Sequence, residues 1–218
     1  VNRGIRIMEN PTYTFTENIT GGTIRTAYSF EANRADFNPS GGTIELYGTA
    51  NANLGHFAGS NFFNIEIDKI AKDNDAEEKI SFFDEREEMK AGGEKANTAV
   101  AITNLDINGN MLITSGTFVA PAVIQVAGNW TNMVGDAGFT EGTGIVIFDG
   151  NANTDINNSE TFYNLTENKT QTGDLALEIM ASAVITVLND FHIQDGCFEM
   201  NNNSTIDISN DLSIDLNA

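Results

Sequence analysis

One passage of this chain is written twice, about 100 residues apart. Thr43-Ile-Glu-Leu-Tyr-Gly-Thr-Ala-Asn-Ala-Asn-Leu54 returns as Ile145-Val-Ile-Phe-Asp-Gly-Asn-Ala-Asn-Thr-Asp-Ile156. Phe62-Phe-Asn-Ile65 returns as Phe162-Tyr-Asn-Leu165, and Lys69 as Lys169. Upstream, Ile24 and Phe30 match Ile124 and Trp130. A second match, Leu105–Phe118 with Ile185–Phe198, strengthens the pattern. Repeats of short alternating segments and Gly/Asn turns cannot bury an apolar face alone, so each must stack on its neighbour. A β-sandwich has strands at similar spacing, but its strands need not resemble one another at long range.

The strand-like segments read as Thr23–Phe30, Thr43–Tyr47, Phe62–Ile67, Ala99–Ile107, Met111–Phe118, Val123–Ala127, Gly144–Phe148 and Thr161–Thr166. They continue as Leu175–Ile179, Ala183–Leu188, Phe191–Ile193, Cys197–Met200, Thr205–Ile208 and Leu212–Ile214. Most alternate apolar and polar residues and end in Gly, Asn or Asp. Twenty glycines and 28 asparagines against three prolines fit a chain full of tight turns. The expected architecture is all-β: one parallel β-solenoid domain over 1–218, with residues 1–20 an irregular segment or first coil. Residues 70–96 break the pattern with dense charge and good helix formers, and predict a charged, partly helical insertion. The repeat unit runs roughly over 99–182, another begins near 183, and the sequence stops within it.

Phe30, Phe63, Phe118, Trp130, Phe148, Phe162, Leu165 and Phe198 are expected to pack inward or at strand ends. Asn side chains at successive turns are expected to form ladders. Alternation places the single cysteine, Cys197, on an outer face, and His56 and His192 read as surface or turn residues.

The net charge is −20 and uneven. Residues 1–96 carry 10 Lys/Arg against 16 Asp/Glu, or −6; residues 97–218 carry 1 against 15, or −14. Such a surface repels nucleic acid and anionic lipid. No apolar run is long enough to span a membrane.

Gly-Thr followed by apolar alternation, Phe148-Asp-Gly-Asn-Ala-Asn-Thr154, Thr161-Phe-Tyr-Asn-Leu-Thr166 and Ile113-Thr-Ser-Gly-Thr-Phe118 carry a family resemblance. The chain resembles the repeats of large bacterial cell-surface and secreted proteins, often described as adhesin-like, with right-handed parallel β-helix folds. The resemblance covers most of residues 20–214 except the charged insertion. It implies a bacterial, extracellular or cell-surface location and the right-handed winding, and it transfers no functional site.

The sharpest chemical candidate is Asp149–Glu160. Asp149, Asn151, Asn153, Asp155 and Glu160 fall at ligand positions of an EF-hand calcium loop. Thr154 stands where that loop needs glycine, and the repeat copy carries Tyr47 in place of Asp149. Asp190, Asp195, Asp207, Asp211 and Asp215 form a looser acidic group. A glycosidase needs two carboxylates in one groove, and 31 acidic residues supply pairs by chance. No nucleophile motif or cysteine pair occurs.

The reading is therefore a non-enzymatic, extracellular structural or adhesive β-helix without a required cofactor. Its expected partners are other copies joined end to end, in a filament or surface layer, or extracellular glycans, with no nucleic acid and no membrane insertion. The alternatives are a carbohydrate-binding or carbohydrate-active β-helix and a calcium-stabilised surface module.

Overall fold

A computed structural model describes residues 4–8, 18–70, 98–169 and 175–215. They form a parallel β-solenoid of about eight turns. The first turn holds β1 (Gly4–Met8) and β2 (Thr20–Thr26), the second β3 (Ser29–Asn33) and β4 (Gly41–Tyr47), and the third β5 (Ala52–His56) and β6 (Asn64–Asp68). From the fourth turn on, three strands make each turn: β7 (Thr98–Ala101), β8 (Leu105–Ile107) and β9 (Met111–Ser115). Next come β10 (Thr117–Val119), β11 (Val123–Val126) and β12 (Trp130–Asn132), then β13 (Phe139–Thr140), β14 (Ile145–Phe148) and β15 (Thr154–Ile156). The seventh turn has β16 (Glu160–Phe162), β17 (Asn164–Asn168) and β18 (Ala176–Ile179). The eighth has β19 (Val184–Val187), β20 (Phe191–Asp195) and β21 (Cys197–Met200). β22 (Thr205–Ile208) and β23 (Leu212–Ile214) supply two faces of a ninth.

The strands stack into faces. The first face is β1-β3-β5-β7-β10-β13, and β16-β19-β22 follows at the same place in the winding. The second is β8-β11-β14-β17-β20-β23, and the third is β2-β4-β6-β9-β12-β15-β18-β21. Among the described residues before the fourth turn, the second face holds only a bridge from Phe62 to Ile107.

Alternation fixes which side chains enter the core, because successive residues of a strand point to opposite faces. On the third face Ile24, Ile44, Ile65, Met111, Trp130, Ile156, Ile179 and Met200 pair in unbroken succession. On the second, Leu105, Ile124, Val146, Leu165, Phe191 and Leu212 do the same. Phe62, not Phe63, faces the core, and Phe198 is only half-buried; the other expected inward residues are buried.

The asparagine ladder is present at the corner between the second and third faces. Asn64 Oδ1 accepts the Asn110 N–H at 2.8 Å, Asn110 Oδ1 the Asn129 N–H at 2.8 Å, and Asn129 Oδ1 the Asp155 N–H at 2.9 Å. Each bond satisfies a corner amide that strand pairing leaves without a partner. The ladder also dictates glycine before the asparagine: a Cβ on Gly128 would sit 2.4 Å from Asn110 Oδ1.

Several expected strands are divided. Thr23–Phe30 breaks between β2 and β3, Ala99–Ile107 between β7 and β8, and Met111–Phe118 at Gly116, whose φ is +77°. Alternation alone does not mark a corner that keeps the apolar phase. β1, β5, β12, β13 and β15 form where no strand was expected. The predicted insertion falls outside the described residues apart from Ile70, which is exposed.

The two copies of the repeat do not stack face on face. Their matched strands β4 and β6 lie on the third face, whereas β14 and β17 lie on the second. The second match behaves alike: β9 on the third face matches β20 on the second, and β10 on the first matches β21 on the third. The unit therefore spans a whole number of turns less one face. One sequence serves different faces because every face offers the same environment, a parallel strand between two others with one side turned to the core.

Candidate functional site

Of the five expected calcium ligands, Asp149, Asn151 and Asn153 precede strand β15, Asp155 lies within it and Glu160 opens β16. Thr154–Ile156 is the extended strand β15, so the tight loop that such a site needs is replaced by strand. Asp149 accepts a hydrogen bond from Gln125 at 3.0 Å, Asp155 one from Asn129 at 3.3 Å, and Asn153 donates to Glu178 at 3.4 Å. Asn151 is exposed in a bend. Glu160 opens β16 and turns inward, where it is 1% exposed. In the looser acidic group, Asp190 accepts bonds from Asn189 and Asn210, and Asp215 pairs with His192 at 3.1 Å. Among the described residues no cluster of three His, Cys, Asp or Glu side chains is placed to hold a metal ion.

His56 was expected at the surface or in a turn; it closes strand β5 and is buried. Its Nε2 accepts the Asp106 N–H at 3.0 Å, which places the proton on Nδ1, facing the Phe57 carbonyl at 2.9 Å and Ser60 Oγ at 3.1 Å. The ring bridges the third and fourth turns. It walls a hollow of about 340 Å³ with Asn104, Asp106 and Gln125. A second hollow of about 330 Å³ opens further along the second face, beside Asn164, Asp190, His192 and Asp211.

The interior holds charged groups that the sequence did not reveal as buried. Lys69 and Lys169, equivalent in the repeat, are both fully buried. Each follows a register shift in its strand, between Ile67 and Asp68 and between Glu167 and Asn168. Lys69 Nζ donates to the carbonyls of Ala27 at 3.0 Å and Tyr47 at 2.8 Å, so one ammonium ties three successive turns. Lys169 Nζ donates to Thr154 Oγ1 at 2.6 Å. Burial pushes both amines down to about 8. Glu160 accepts from Trp130 Nε1 at 2.7 Å, from Asn132 Nδ2 at 3.0 Å and from the Thr161 N–H at 3.0 Å. Burial pushes its carboxyl, and that of Glu167, up to about 7.

Lys69→Met keeps the stem and removes both donors, leaving two interior carbonyls unpaired. The expected loss is about 2–6 kcal/mol in urea unfolding, from about 1–3 kcal/mol for each of the two groups orphaned. A neutral result would show that the carbonyls find other partners.

Exposed apolar side chains occur along the whole solenoid, from Met8 and Phe57 through Met133 to Leu212 and Ile214. Along the second-face column, Leu105, Ile124, Val146, Leu165 and Phe191 are all below 5% exposed, and Leu212 is 53% exposed. Ile214 reaches 60% and Met200 47%. β21, β22 and β23 each pair on one side only, as do β1 and β2 at the other end. The two ends differ in charge. Arg6 and Arg25 lie on the first, where they meet Glu31 and Glu45 of the next turn, each at 2.7 Å. Glu199, Asp207, Asp211 and Asp215 lie on the last.

Comparison with known protein-family models, curated proteins and solved structures finds no match. The fold itself, and the geometry of its faces and ends, carry what can be inferred about function. No helix among the described residues is long and apolar enough to cross a membrane.

Proposed function

We propose that this chain is a non-enzymatic structural or adhesive rod of the bacterial exterior that joins its own kind end to end. One observation carries the reading: the described strands stack turn on turn in three parallel faces around inward columns such as Leu105, Ile124, Val146, Leu165 and Phe191, which makes a stiff rod with long outward faces. A solenoid buries its core by stacking, so the turn at either end of such a rod is covered by a further turn, of the same chain or of another copy. Ends that are not alike make contacts that do not close, and such contacts build filaments. The acidic flanks keep neighbouring rods apart sideways, which favours growth along the axis.

The direct test is electron microscopy of the purified chain beside its light-scattering mass, in calcium and in EDTA. The expected result is filaments that lengthen with protein concentration in either buffer. A monomer at every concentration sinks the reading. Growth only in calcium shifts it to the calcium-stabilised alternative.

The two hollows on the second face favour a second reading, in which that face holds an extracellular glycan. Its outward column runs Gln125, Ile147, Thr166, His192 and Ser213 through successive strands, polar except at Ile147. A glycan array with a reducing-end assay separates binding from cleavage, and no signal on either removes this reading.

A further inference from the structure

We infer that the hollow beside His56, spanning the third to fifth turns, is a site for a neutral saccharide and not an acidic one, with Asp106, Gln125, Asn104 and Thr103 holding its hydroxyls. This inference rests on the glycan reading above and names its place and its sugar class.

The hollow forms where the third turn passes the second face as a tight turn. The Ser60 N–H closes on the Phe57 carbonyl at 3.1 Å, and Gly59 takes a φ of +88°, in the left-handed region that glycine enters without strain. That turn lines one side of the hollow, and Thr103–Asp106 with Gln125 line the other. The volume of about 340 Å³ falls at the lower end of the about 300–1,000 Å³ usual for small-molecule sites.

Asp106 is fixed there by its backbone. Its N–H donates to His56 Nε2 at 3.0 Å, and its carbonyl accepts the Phe62 N–H at 2.9 Å. Its side chain shares the outward column of the second face with Gln125. Among the described residues no donor reaches its carboxyl, which burial raises above the ordinary aspartate range. A half-buried acceptor without a donor is suited to a ligand that brings one.

The neighbouring side chains have part of their hydrogen-bonding capacity left. Gln125 Nε2 donates to Asp149 at 3.0 Å, which leaves Oε1 to accept. Asn104 Oδ1 accepts the Val123 N–H at 3.2 Å, which leaves its amide N–H groups to donate. Thr103 Oγ1 accepts the His56 N–H at 3.0 Å, which leaves its O–H to donate. The hollow therefore offers both acceptors and donors. A hydroxyl donates and accepts at once, so the hydroxyls of a sugar ring serve both kinds. A bare ammonium only donates and leaves Asn104 and Thr103 unserved. A phosphate, sulfate or uronate carboxylate only accepts and meets the Asp106 charge, with no cationic side chain in the lining.

The test applies the full chain to an array of neutral oligosaccharides of glucose, galactose, mannose and N-acetylglucosamine, beside oligogalacturonates. Wild type is compared with Asp106→Ala, with Ala58→Trp, which fills the hollow from its exposed side, and with Asp211→Ala at the second hollow. Each variant is first matched to the wild type by circular dichroism. The expected result is binding to neutral oligosaccharides and none to oligogalacturonates. Asp106→Ala should weaken it about tenfold or more, as loss of hydrogen bonds to a charged group does. Ala58→Trp should abolish it, and Asp211→Ala should leave it unchanged. Neutral binding that survives Asp106→Ala or Ala58→Trp overturns this inference and leaves the glycan reading standing, at the second hollow if Asp211→Ala abolishes it. Binding to oligogalacturonates alone also overturns the inference and spares that reading. An array with no signal overturns both.

Discussion

Trp130→Ala is expected to destabilise the solenoid by about 3–5 kcal/mol, the range for removing a large aromatic from a packed core. Trp130 is fully buried in the third-face column between Met111 and Ile156. Its ring meets Phe139 edge-on at 4.9 Å and Phe162 at 5.5 Å. Its indole N–H is also one of three donors to the buried Glu160 carboxylate. Truncation therefore opens a cavity and leaves an acidic group short of a partner in the same place. Trp130→Phe separates the two effects. It keeps most of the ring volume and removes the donor, and is expected to cost about 1–3 kcal/mol. Urea unfolding followed by circular dichroism reads both. If the phenylalanine variant matches the wild type, the Glu160 contact contributes nothing and packing alone explains Trp130.

Much of this architecture was legible in the sequence because a solenoid repeats its physics. The parallel β-solenoid follows from two copies of one strand-turn pattern, and the Gly-Asn pairs at 109–110 and 128–129 mark corners where the asparagine ladder forms. Corners that preserve the alternation were not legible. Ile102–Asn104 separates two strands without disturbing the apolar phase, so Ala99–Ile107 reads as one. The identity of Phe62 as the inward residue was hidden by its neighbour Phe63, since two adjacent phenylalanines leave the phase open. Burial of Lys69, Lys169, Glu160 and Glu167 was invisible for a stronger reason: charged side chains are almost never fully buried without partners. The partners here come from other turns, including Trp130 and the carbonyls of Ala27 and Tyr47. The one signal available was that Lys69 and Lys169 recur in the repeat. The calcium pattern at 149–160 shows the converse. Its spacing suits a loop, but the chain spends Thr154–Ile156 on a strand and turns Glu160 into the core.

Stability should fall as the pH rises from about 5 to 7.5, the reverse of proteins whose carboxylates are held by cations. Burial raises the Glu160 carboxyl from 4.5 to about 7, and Glu167 likewise. A raised carboxyl keeps its proton in the folded state after the unfolded chain has released it. The folded state then binds more protons between pH 4.5 and 7, and linkage makes stability decline across that window. The contribution is fully present below about 4.5 and lost as the pH passes 7. For Glu160, 1% exposed, a rise of this size corresponds to about 3 kcal/mol. Lys69 and Lys169 act on the other side. Their amines are lowered from 10.5 to about 8, so the unfolded chain binds more protons between 8 and 10.5 and stability climbs again there. The two pairs together predict a trough between about pH 7 and 8 in the melting temperature. Glu160→Gln should shallow its acidic side and leave its alkaline side unchanged, because the lysines are untouched. A melting temperature that rises steadily from pH 5 to 7.5 would mean that the interior donors hold Glu160 and Glu167 ionised against the cost of their burial.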